Sequence, residues 1–213
     1  CVGLHAGAAG LALRLLDCRR PLGLGALAAA IERGVPMIAP CNGFQIAVQA
    51  GLLPGPGNGE NWPETPARPT VALAPNESGR FRDDWTGIEI PQSSRCIWTA
   101  GIETADSAAM VLPSAHGEGR FVAGPDVLAD LEGSGRIALR YTARDHFNGS
   151  RDRVAGICDA SGLVFGLMPH PERYTRWSQH PTWTRLDPSV RSGDTPGLMM
   201  FKNAVRHALA AVS

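Results

Sequence analysis

Three residues that lie far apart in the sequence have side chains that could act together on a carbonyl group. Cys41 follows one short apolar run, and His170 and Glu172 follow another. A cysteine thiolate is a nucleophile, a histidine can accept and return its proton, and a carboxylate can orient that histidine. The three residue types therefore predict nucleophilic catalysis, with Cys41 as nucleophile, His170 as base and Glu172 as its orienting group.

The segment around the cysteine predicts a sharp turn between a strand and a helix. Val35–Ala39 is a short apolar run of the kind that a buried strand shows. After it, Phe44, Ala47 and Val48 fall on one face of a helix. Such a turn lifts the thiol off the end of the sheet and aims the first backbone N–H groups of the helix at the group under attack. A buried structural cysteine is the alternative, and the sequence leaves both open.

The segment around His170 predicts that its two polar side chains meet. Prolines flank the histidine on both sides, which excludes a regular helix and stiffens an extended path. In an extended segment residues two apart point to the same side, so His170 and Glu172 share a side. An exposed loop explains His-Pro-Glu on its own, and the pairing with Cys41 is what favours a catalytic role.

A third segment, His116-Gly-Glu-Gly119, combines polar side chains with two glycines after an apolar run. The glycines indicate a loop whose backbone approaches another group closely. A tight polar turn with a surface histidine explains the same residues, and both alternatives stay open. The other histidines, at positions 5, 146, 180 and 207, are interpreted as surface or loop residues.

Helices and strands alternate along the chain, which indicates an α/β sandwich in a single domain over residues 1–213. Helices are predicted at Leu22–Ile31, from a cap at Asp126 to Glu132, and at the C-terminus. The C-terminal helix is predicted from five apolar residues at helical spacing: Leu198, Phe201, Val205, Ala208 and Val212. Strands are predicted at 35–39, 70–74, 80–90, 96–99 and 137–141, and in a hairpin of 154–158 with 163–168.

The composition argues against several classes of protein. Twenty basic residues balance twenty acidic ones, so no net charge attracts the chain to nucleic acid or to an anionic membrane. No apolar run has the length of a membrane span, and the first residues lack the features of a signal peptide, so we expect a cytoplasmic protein. The five cysteines, at positions 1, 18, 41, 96 and 158, are scattered, so we expect neither a disulfide framework nor a metal site.

Six motifs follow one another in order. They are Cys-Asn-Gly-Phe-Gln at 41–45, Gly-Leu-Leu-Pro-Gly at 51–55, Asn-Glu-Ser-Gly-Arg-Phe at 76–81, His-Gly-Glu-Gly-Arg-Phe at 116–121, Asn-Gly-Ser at 148–150 and Gly-Leu-Met-Pro-His-Pro-Glu-Arg at 166–173. Together they resemble the glutaminase component of phosphoribosylformylglycinamidine synthase, a class I, triad-type glutamine amidotransferase of purine biosynthesis. The resemblance runs from about Gly34 to the C-terminus.

The resemblance implies a fold and a set of functional residues. The implied fold is the flavodoxin-like α/β sandwich of class I glutamine amidotransferases, a central and mostly parallel sheet with helices on both faces. The implied catalytic residues are Cys41, His170 and Glu172. The implied glutamine-binding residues, by side chain or backbone, are Asn42, Gly43, Gln45, His116 and Gly117.

The resemblance also implies a substrate and a partner. Glutamine would be hydrolysed here, and the ammonia would pass to a synthetase subunit or domain that forms formylglycinamidine ribonucleotide. ATP and magnesium would act on that partner, so no cofactor is expected in this chain. A catalytically impaired or non-catalytic subunit of the same complex is the alternative. Another Cys-His hydrolase, such as a γ-glutamyl peptide hydrolase, is disfavoured by the motifs at 76–81 and 116–119.

One departure from the family supports the alternative of a catalytically impaired or non-catalytic subunit. Only about 34 residues precede the first predicted strand, whereas the family has several strands and helices there, including a Gly-Gly-Phe-Ser-type loop that supplies an oxyanion-hole donor. We therefore expect residues 1–34 to be atypical, N-terminal strands to be missing and one sheet edge to be open. Loss of one such donor costs a factor of about 10²–10³ in rate.

Overall fold

The computed structural model describes residues 24–57, 59–63, 68–103 and 107–211. Within them the α-helices are α1 (Leu24–Glu32), α2 (Asn42–Gln49), α3 (Pro125–Gly133) and α4 (Pro196–Ala210). The strands are β1 (Met37–Pro40), β2 (Val71–Pro75), β3 (Arg82–Glu89), β4 (Val111–His116), β5 (Glu118–Ala123), β6 (Ile137–Tyr141), β7 (Val154–Cys158) and β8 (Val164–Leu167). Most of these elements are where the sequence predicts them. The expectations for residues 1–23 and for Val212 lie outside the described residues.

Six of these strands form one sheet, and the other two form a second, two-stranded antiparallel sheet. The order in the large sheet is β1-β8-β7-β6-β3-β4, while β2 pairs with β5. β1 is parallel to β8, and the four other pairings of the large sheet are antiparallel. The α/β class is confirmed, but the described sheet is mixed rather than mostly parallel. The short turn between β7 and β8 is one reason, because so short a connection can join only antiparallel strands.

Helices cover both faces of the large sheet, as predicted. Successive residues of β8 point to opposite faces: Val164 belongs to one core cluster, and Phe165 belongs to the other. The first cluster includes residues of α1, α2 and α3, and the second includes Met200 and Ala204 of α4. Each strand near the centre of the sheet is therefore buried on both faces, which explains its continuous apolar run.

Gly166 allows α2 to pack closely on the sheet. A Cβ atom at this position would overlap with the ring of Phe44 and would lie 2.5 Å from Cδ1 of Leu53. Both of these side chains are buried in the first core cluster. The glycine is therefore needed for the position of the helix that follows Cys41.

The prediction of a strand at 96–99 is wrong, because Ile97–Thr99 forms a short 3-10 helix. The backbone N–H of Ile97 donates to the carbonyl of Gly162, and the indole N–H of Trp98 donates to the carbonyl of Leu163. These contacts to the distant β7–β8 turn satisfy the polar groups of the segment without a strand partner. Local preference could not reveal them.

The C-terminal helix is confirmed, but the predicted apolar stripe is not its buried face. Val205 is 57% exposed, whereas Asn203 is buried. The side-chain amide of Asn203 donates to the carbonyls of Trp98 and Ala100, at 3.1 and 2.8 Å. A buried polar side chain is stable when its hydrogen bonds are made. The bonds of Asn203 therefore set the rotation of the helix.

The start of α3 differs slightly from the prediction. The cap of α3 is Gly124, and Asp126 lies within the first turn instead of capping it. An acidic side chain there still stabilises the helix through the helix dipole.

In the described part of the chain, no helix combines the length and the apolar character that a membrane span requires.

We expect Gly166→Ala to lower the free energy of unfolding by about 1–3 kcal/mol, because the added methyl group overpacks the core against Phe44 and Leu53. Equilibrium urea unfolding followed by circular dichroism measures this change. Gly25→Ala is the matched control, because nothing lies within 4 Å of its added methyl group and the site is inside α1. This control should be neutral or stabilising by about 0.5–1 kcal/mol. Equal stability of the two variants would contradict the packing explanation.

Candidate active site

Cys41 occupies the turn between β1 and α2, which confirms the predicted strand-turn-helix arrangement. Its φ and ψ angles are 51° and −112°, in a region that residues other than glycine rarely adopt. Its N–H donates to the carbonyl of Leu167 at 2.7 Å, and its own carbonyl accepts from the N–H groups of Phe44 and Gln45. The backbone on both sides of Cys41 is therefore fixed by hydrogen bonds. Strain of this kind is frequent at functional sites.

The glycine two residues after the cysteine lets the helix start close to the strand. A Cβ atom at Gly43 would lie 3.4 Å from Cβ of Ala39, which is already a tight contact. The N–H groups of Asn42 and Gly43 belong to the first turn of α2, where helix geometry offers no acceptor within the helix. These two donors are beside Cys41 in the chain and can stabilise a developing negative charge.

His170 and Glu172 meet, as predicted. Nδ1 of His170 lies 2.6 Å from Oε1 of Glu172, and the backbone N–H of His170 donates to the carbonyl of Pro113. The path between them is not extended, however, because Pro171–Arg173 forms a 3-10 turn. Proline is tolerated at the first position of a helical turn, where its missing N–H is not needed. The two side chains converge across this turn.

The electrostatic surroundings of His170 favour its protonated form. Burial by itself lowers the pKa of this histidine, but its interactions with Cys41 and with the Glu172 carboxylate outweigh that effect and raise the pKa to about 9. Since Glu172 holds Nδ1, Nε2 is the atom left for the thiol or for a ligand. Nε2 is buried and has no hydrogen-bond partner among the described residues.

The end of β4 forms another side of the site. Sγ of Cys41 lies 3.8 Å from the carbonyl oxygen of Ala115. The next residue, His116, is 3% exposed, and its burial together with the charge of His170 lowers its pKa. The three predicted catalytic residues and the end of β4 thus come together from three separate stretches of the chain.

The predicted loop at 116–119 has a different form. His116 ends β4, Gly117 is the only residue between the strands, and Glu118 begins β5 of the second sheet. The histidine is buried, so the alternative of a surface histidine is wrong. The carbonyls of His116 and Gly117 accept from the side chain and the backbone of Asn76, each at 2.8 Å. Glutamine binding by this backbone stays a prediction.

Gln45 connects the start of α2 to the second sheet. Its side-chain Nε2 donates to the carbonyl of Glu118 at 2.8 Å. The side chain of Asn42 is exposed. The proposed glutamine-binding residues therefore lie around the thiol, but their role in binding stays a prediction.

Sequence reasoning missed one buried residue beside the site, Tyr141 at the end of β6. Burial raises its pKa above the ordinary value, and the charge of Cys41 adds to that effect. A tyrosine at the end of an apolar strand does not indicate from sequence alone that its side chain lies near the catalytic residues.

The described residues contain no group of three or more His, Cys, Asp or Glu side chains that could hold a metal ion.

Comparison with known proteins places the chain in a family. A sequence model of the CobB/CobQ-like glutamine amidotransferase domain matches residues 24–208. The phosphoribosylformylglycinamidine synthase subunit PurQ of Dehalococcoides mccartyi is 38% identical over 187 residues, covering 83% of this chain and 65% of the relative. The same subunit of Corynebacterium jeikeium is 42% identical over 179 residues, with the same two coverages. That of Frankia casuarinae is 38% identical over 192 residues, covering 89% and 68%.

A solved structure gives the same result. The structure of PurLQS from Thermotoga maritima contains a chain with a TM-score of 0.56 and 31% identity, covering 85% of this chain and 66% of that one. This chain thus spans just under two thirds of the length of the first two PurQ relatives. Because the family match extends over most of the chain and is supported by relatives with 38–42% identity, the chain belongs to the family of CobB/CobQ-like glutamine amidotransferase domains.

Proposed function

We propose that this chain hydrolyses glutamine through Cys41, His170 and Glu172 and supplies the ammonia to a synthetase that forms formylglycinamidine ribonucleotide in purine biosynthesis. One observation carries the proposal. Cys41 in the strained turn and His170 both contact the end of β4, at the carbonyls of Ala115 and Pro113. Nδ1 of His170 is 2.6 Å from the Glu172 carboxylate, which leaves its Nε2 for the thiol. This is the arrangement of nucleophile, base and orienting group that acyl transfer requires.

The first step adds the Cys41 thiolate to the glutamine carboxamide. With its raised pKa, His170 can carry the proton of the Cys41 thiol as an imidazolium at neutral pH. The thiolate then attacks the side-chain carboxamide carbon of glutamine, and the carbonyl oxygen becomes an oxyanion. The N–H groups at the start of α2 are in position to donate to that oxyanion.

The second step releases the products. His170 gives its proton to the departing amine, so that ammonia leaves and a γ-glutamyl thioester remains on Cys41. Water then attacks the thioester while His170 accepts a proton from it, which yields glutamate and restores the thiol. Glu172 keeps the imidazole in one orientation through both steps.

The partner and its cofactors are part of the same proposal. The relatives carry the name of a synthase subunit, and the solved neighbour comes from an assembly named PurLQS. We infer that ammonia passes from this chain to a separate synthetase subunit or domain and that ATP and magnesium act there. A cytoplasmic location fits this role and stays a prediction.

An impaired or non-catalytic subunit of the same complex remains the second candidate. In the part of the chain that the structure describes, we identify oxyanion donors from α2 alone, and β1 lies at the edge of the sheet. A site with one donor group fewer would retain the triad geometry but would turn over more slowly. The two candidates differ in rate and not in architecture.

We expect Cys41→Ala to abolish partner-stimulated release of glutamate from glutamine, with a loss of about 10³-fold or more, because no other group replaces the nucleophile. Glutamate formation is measured with and without the cognate synthetase partner. A glutamine-analogue electrophile should label the wild-type chain at Cys41 and leave the variant unlabelled. Release of glutamate by the variant at the wild-type rate would contradict the proposal, and a folded, partner-binding but inactive wild type would favour the second candidate.

We expect Glu172→Gln to lower the pKa of His170 from about 9, because the carboxylate contributes to the raised value. Because the pKa of His170 is higher in the folded state than in the unfolded chain, protonation of this histidine stabilises the folded state. This contribution is fully present below pH 6.5 and is lost as the pH rises through about 9. The stability difference between wild type and variant should therefore be larger at pH 6 than at pH 9.5. Histidine NMR titration and urea unfolding at both pH values measure the two effects.

The exposed carboxylate of Glu89 offers a control, since Glu89→Gln removes a charge that lies far from His170 in the sheet. That variant should leave the titration of His170 unchanged. An unchanged His170 titration in Glu172→Gln would mean that the carboxylate does not stabilise the imidazolium.

A further inference from the structure

Three of the family motifs meet in one buried polar cluster behind the catalytic residues. Asn76 comes from the motif at 76–81, His116 and Gly119 from the motif at 116–121, and Asn148 from the motif at 148–150. The side-chain amide of Asn76 donates to the carbonyl of His116, and that of Asn148 donates to the carbonyl of Gly119. None of these side chains has a role in the two chemical steps above.

The hydrogen bonds of Asn76 determine where its amide oxygen points. Its Nδ2 lies 2.9 Å from the carbonyl of Arg80 and 2.8 Å from the carbonyl of His116. A carbonyl oxygen can only accept, so both neighbours require the nitrogen at this position. Oδ1 of Asn76 therefore faces Nδ1 of His116, at 3.1 Å. Because an amide oxygen can only accept as well, Nδ1 of His116 carries the proton.

In a neutral imidazole whose proton is on Nδ1, the second ring nitrogen, Nε2, is an acceptor. Nε2 of His116 lies 3.5 Å from the hydroxyl of Tyr141, which is in position to donate a long hydrogen bond. Burial, together with the charge of His170, lowers the pKa of His116 to about 4. The histidine is thus neutral at physiological pH, in the tautomer that Asn76 requires, and its unprotonated Nε2 can accept from Tyr141.

Packing holds the ring in the same place. A Cβ atom at Gly119 would overlap with the imidazole of His116, so the ring lies directly on the backbone of that glycine. The ring of Phe147 lies on it as well, with centroids 5.3 Å apart. This contact explains the second glycine of the His-Gly-Glu-Gly motif, which the sequence left open.

The cluster is directly attached to the catalytic residues. Ala115, whose carbonyl lies 3.8 Å from Sγ of Cys41, is the neighbour of His116 in β4. Asn76 bonds both to the ring of His116 and to the backbone carbonyl of that residue, so the ring and the end of the strand share one partner. In addition, a protonated His116 would place a second positive charge near the His170 imidazolium, and like charges disfavour each other's charged forms.

We propose that His116 is a positioning residue for glutamine hydrolysis: held neutral and in one tautomer between Asn76 and Tyr141, it fixes the end of β4 beside Cys41 and keeps a second positive charge away from His170. This inference rests on the proposed function of the site. It gives the side chain of His116 a role in holding the structure around the site, and not in contacting the bound glutamine.

The tautomer is tested without any activity measurement. The full chain is labelled with ¹⁵N-histidine, and two-bond proton–nitrogen correlation spectra are recorded from pH 5 to pH 8. His116 should show a protonated Nδ1, an unprotonated Nε2 and no titration over this range. A titration near pH 6.5, or a protonated Nε2, would overturn the proposal.

Kinetics of three variants, with the synthetase partner present, test the positioning role. His116→Leu removes both ring nitrogens and should lower kcat by about tenfold or more with KM within about twofold, because misplaced reacting groups affect the chemical step. His116→Asn keeps a polar group near the position of Nδ1 and should recover part of kcat. Tyr141→Phe removes one hydroxyl and should lower kcat without disturbing the fold, which circular dichroism verifies.

Tyr174→Phe is the matched control, because it removes the same atom from the only other tyrosine in the sequence, and it should retain wild-type kinetics. Raised KM with unchanged kcat in His116→Leu would assign the side chain to substrate binding and overturn the positioning role. Wild-type kinetics in both His116 variants would overturn it as well. A wild-type chain that is inactive with its partner overturns the proposed function, and the NMR experiment then still decides the state of His116 by itself.

Discussion

The parallel pairing of β1 with β8 is the constraint on which the candidate site depends. The register places Pro40 opposite Leu167, so the two strands end at the same edge of the sheet. Cys41 is the first residue after β1, and its N–H continues the pairing by donating to the carbonyl of Leu167 at 2.7 Å. His170 follows the end of β8 by three residues. A shift of this register would separate the thiol from the imidazole.

The packing of α2 depends on the same pairing. Gly166 lies opposite Ala39 in the register, and the absence of a side chain there leaves room for Phe44 of α2. Gly43 also lies near the strand, at the start of that helix, where an added Cβ atom would be 3.4 Å from Cβ of Ala39. Small residues at these positions let the strand and the helix approach each other, so the chain can reverse direction within the single residue Cys41. The positive φ angle of this residue is the local consequence.

Two buried histidines near Cys41 have pKa values shifted in opposite directions. Burial lowers the pKa of both, but His170 has a carboxylate and a thiol beside it, whereas His116 faces a neutral amide and a hydroxyl. The partners therefore decide which of the two carries a charge. A pair of this kind provides one proton carrier and one fixed neutral neighbour. The neutral neighbour, His116, is bonded to Asn76, which directly follows β2 of the second sheet.

The sequence by itself determined the family, the turn at Cys41 and most of the elements, because each is encoded in contiguous residues: a short apolar run, a helical spacing or a motif. It also paired His170 with Glu172, since they are two residues apart. The tertiary structure decided what depends on distant partners. The 3-10 helix within residues 96–99 bonds to the β7–β8 turn, and Asn203 on the buried face of α4 bonds to Trp98. His116 is buried, with Asn76 and Tyr141 beside its ring nitrogens. No local pattern contains these contacts, because each joins residues separated by at least 25 positions in the chain.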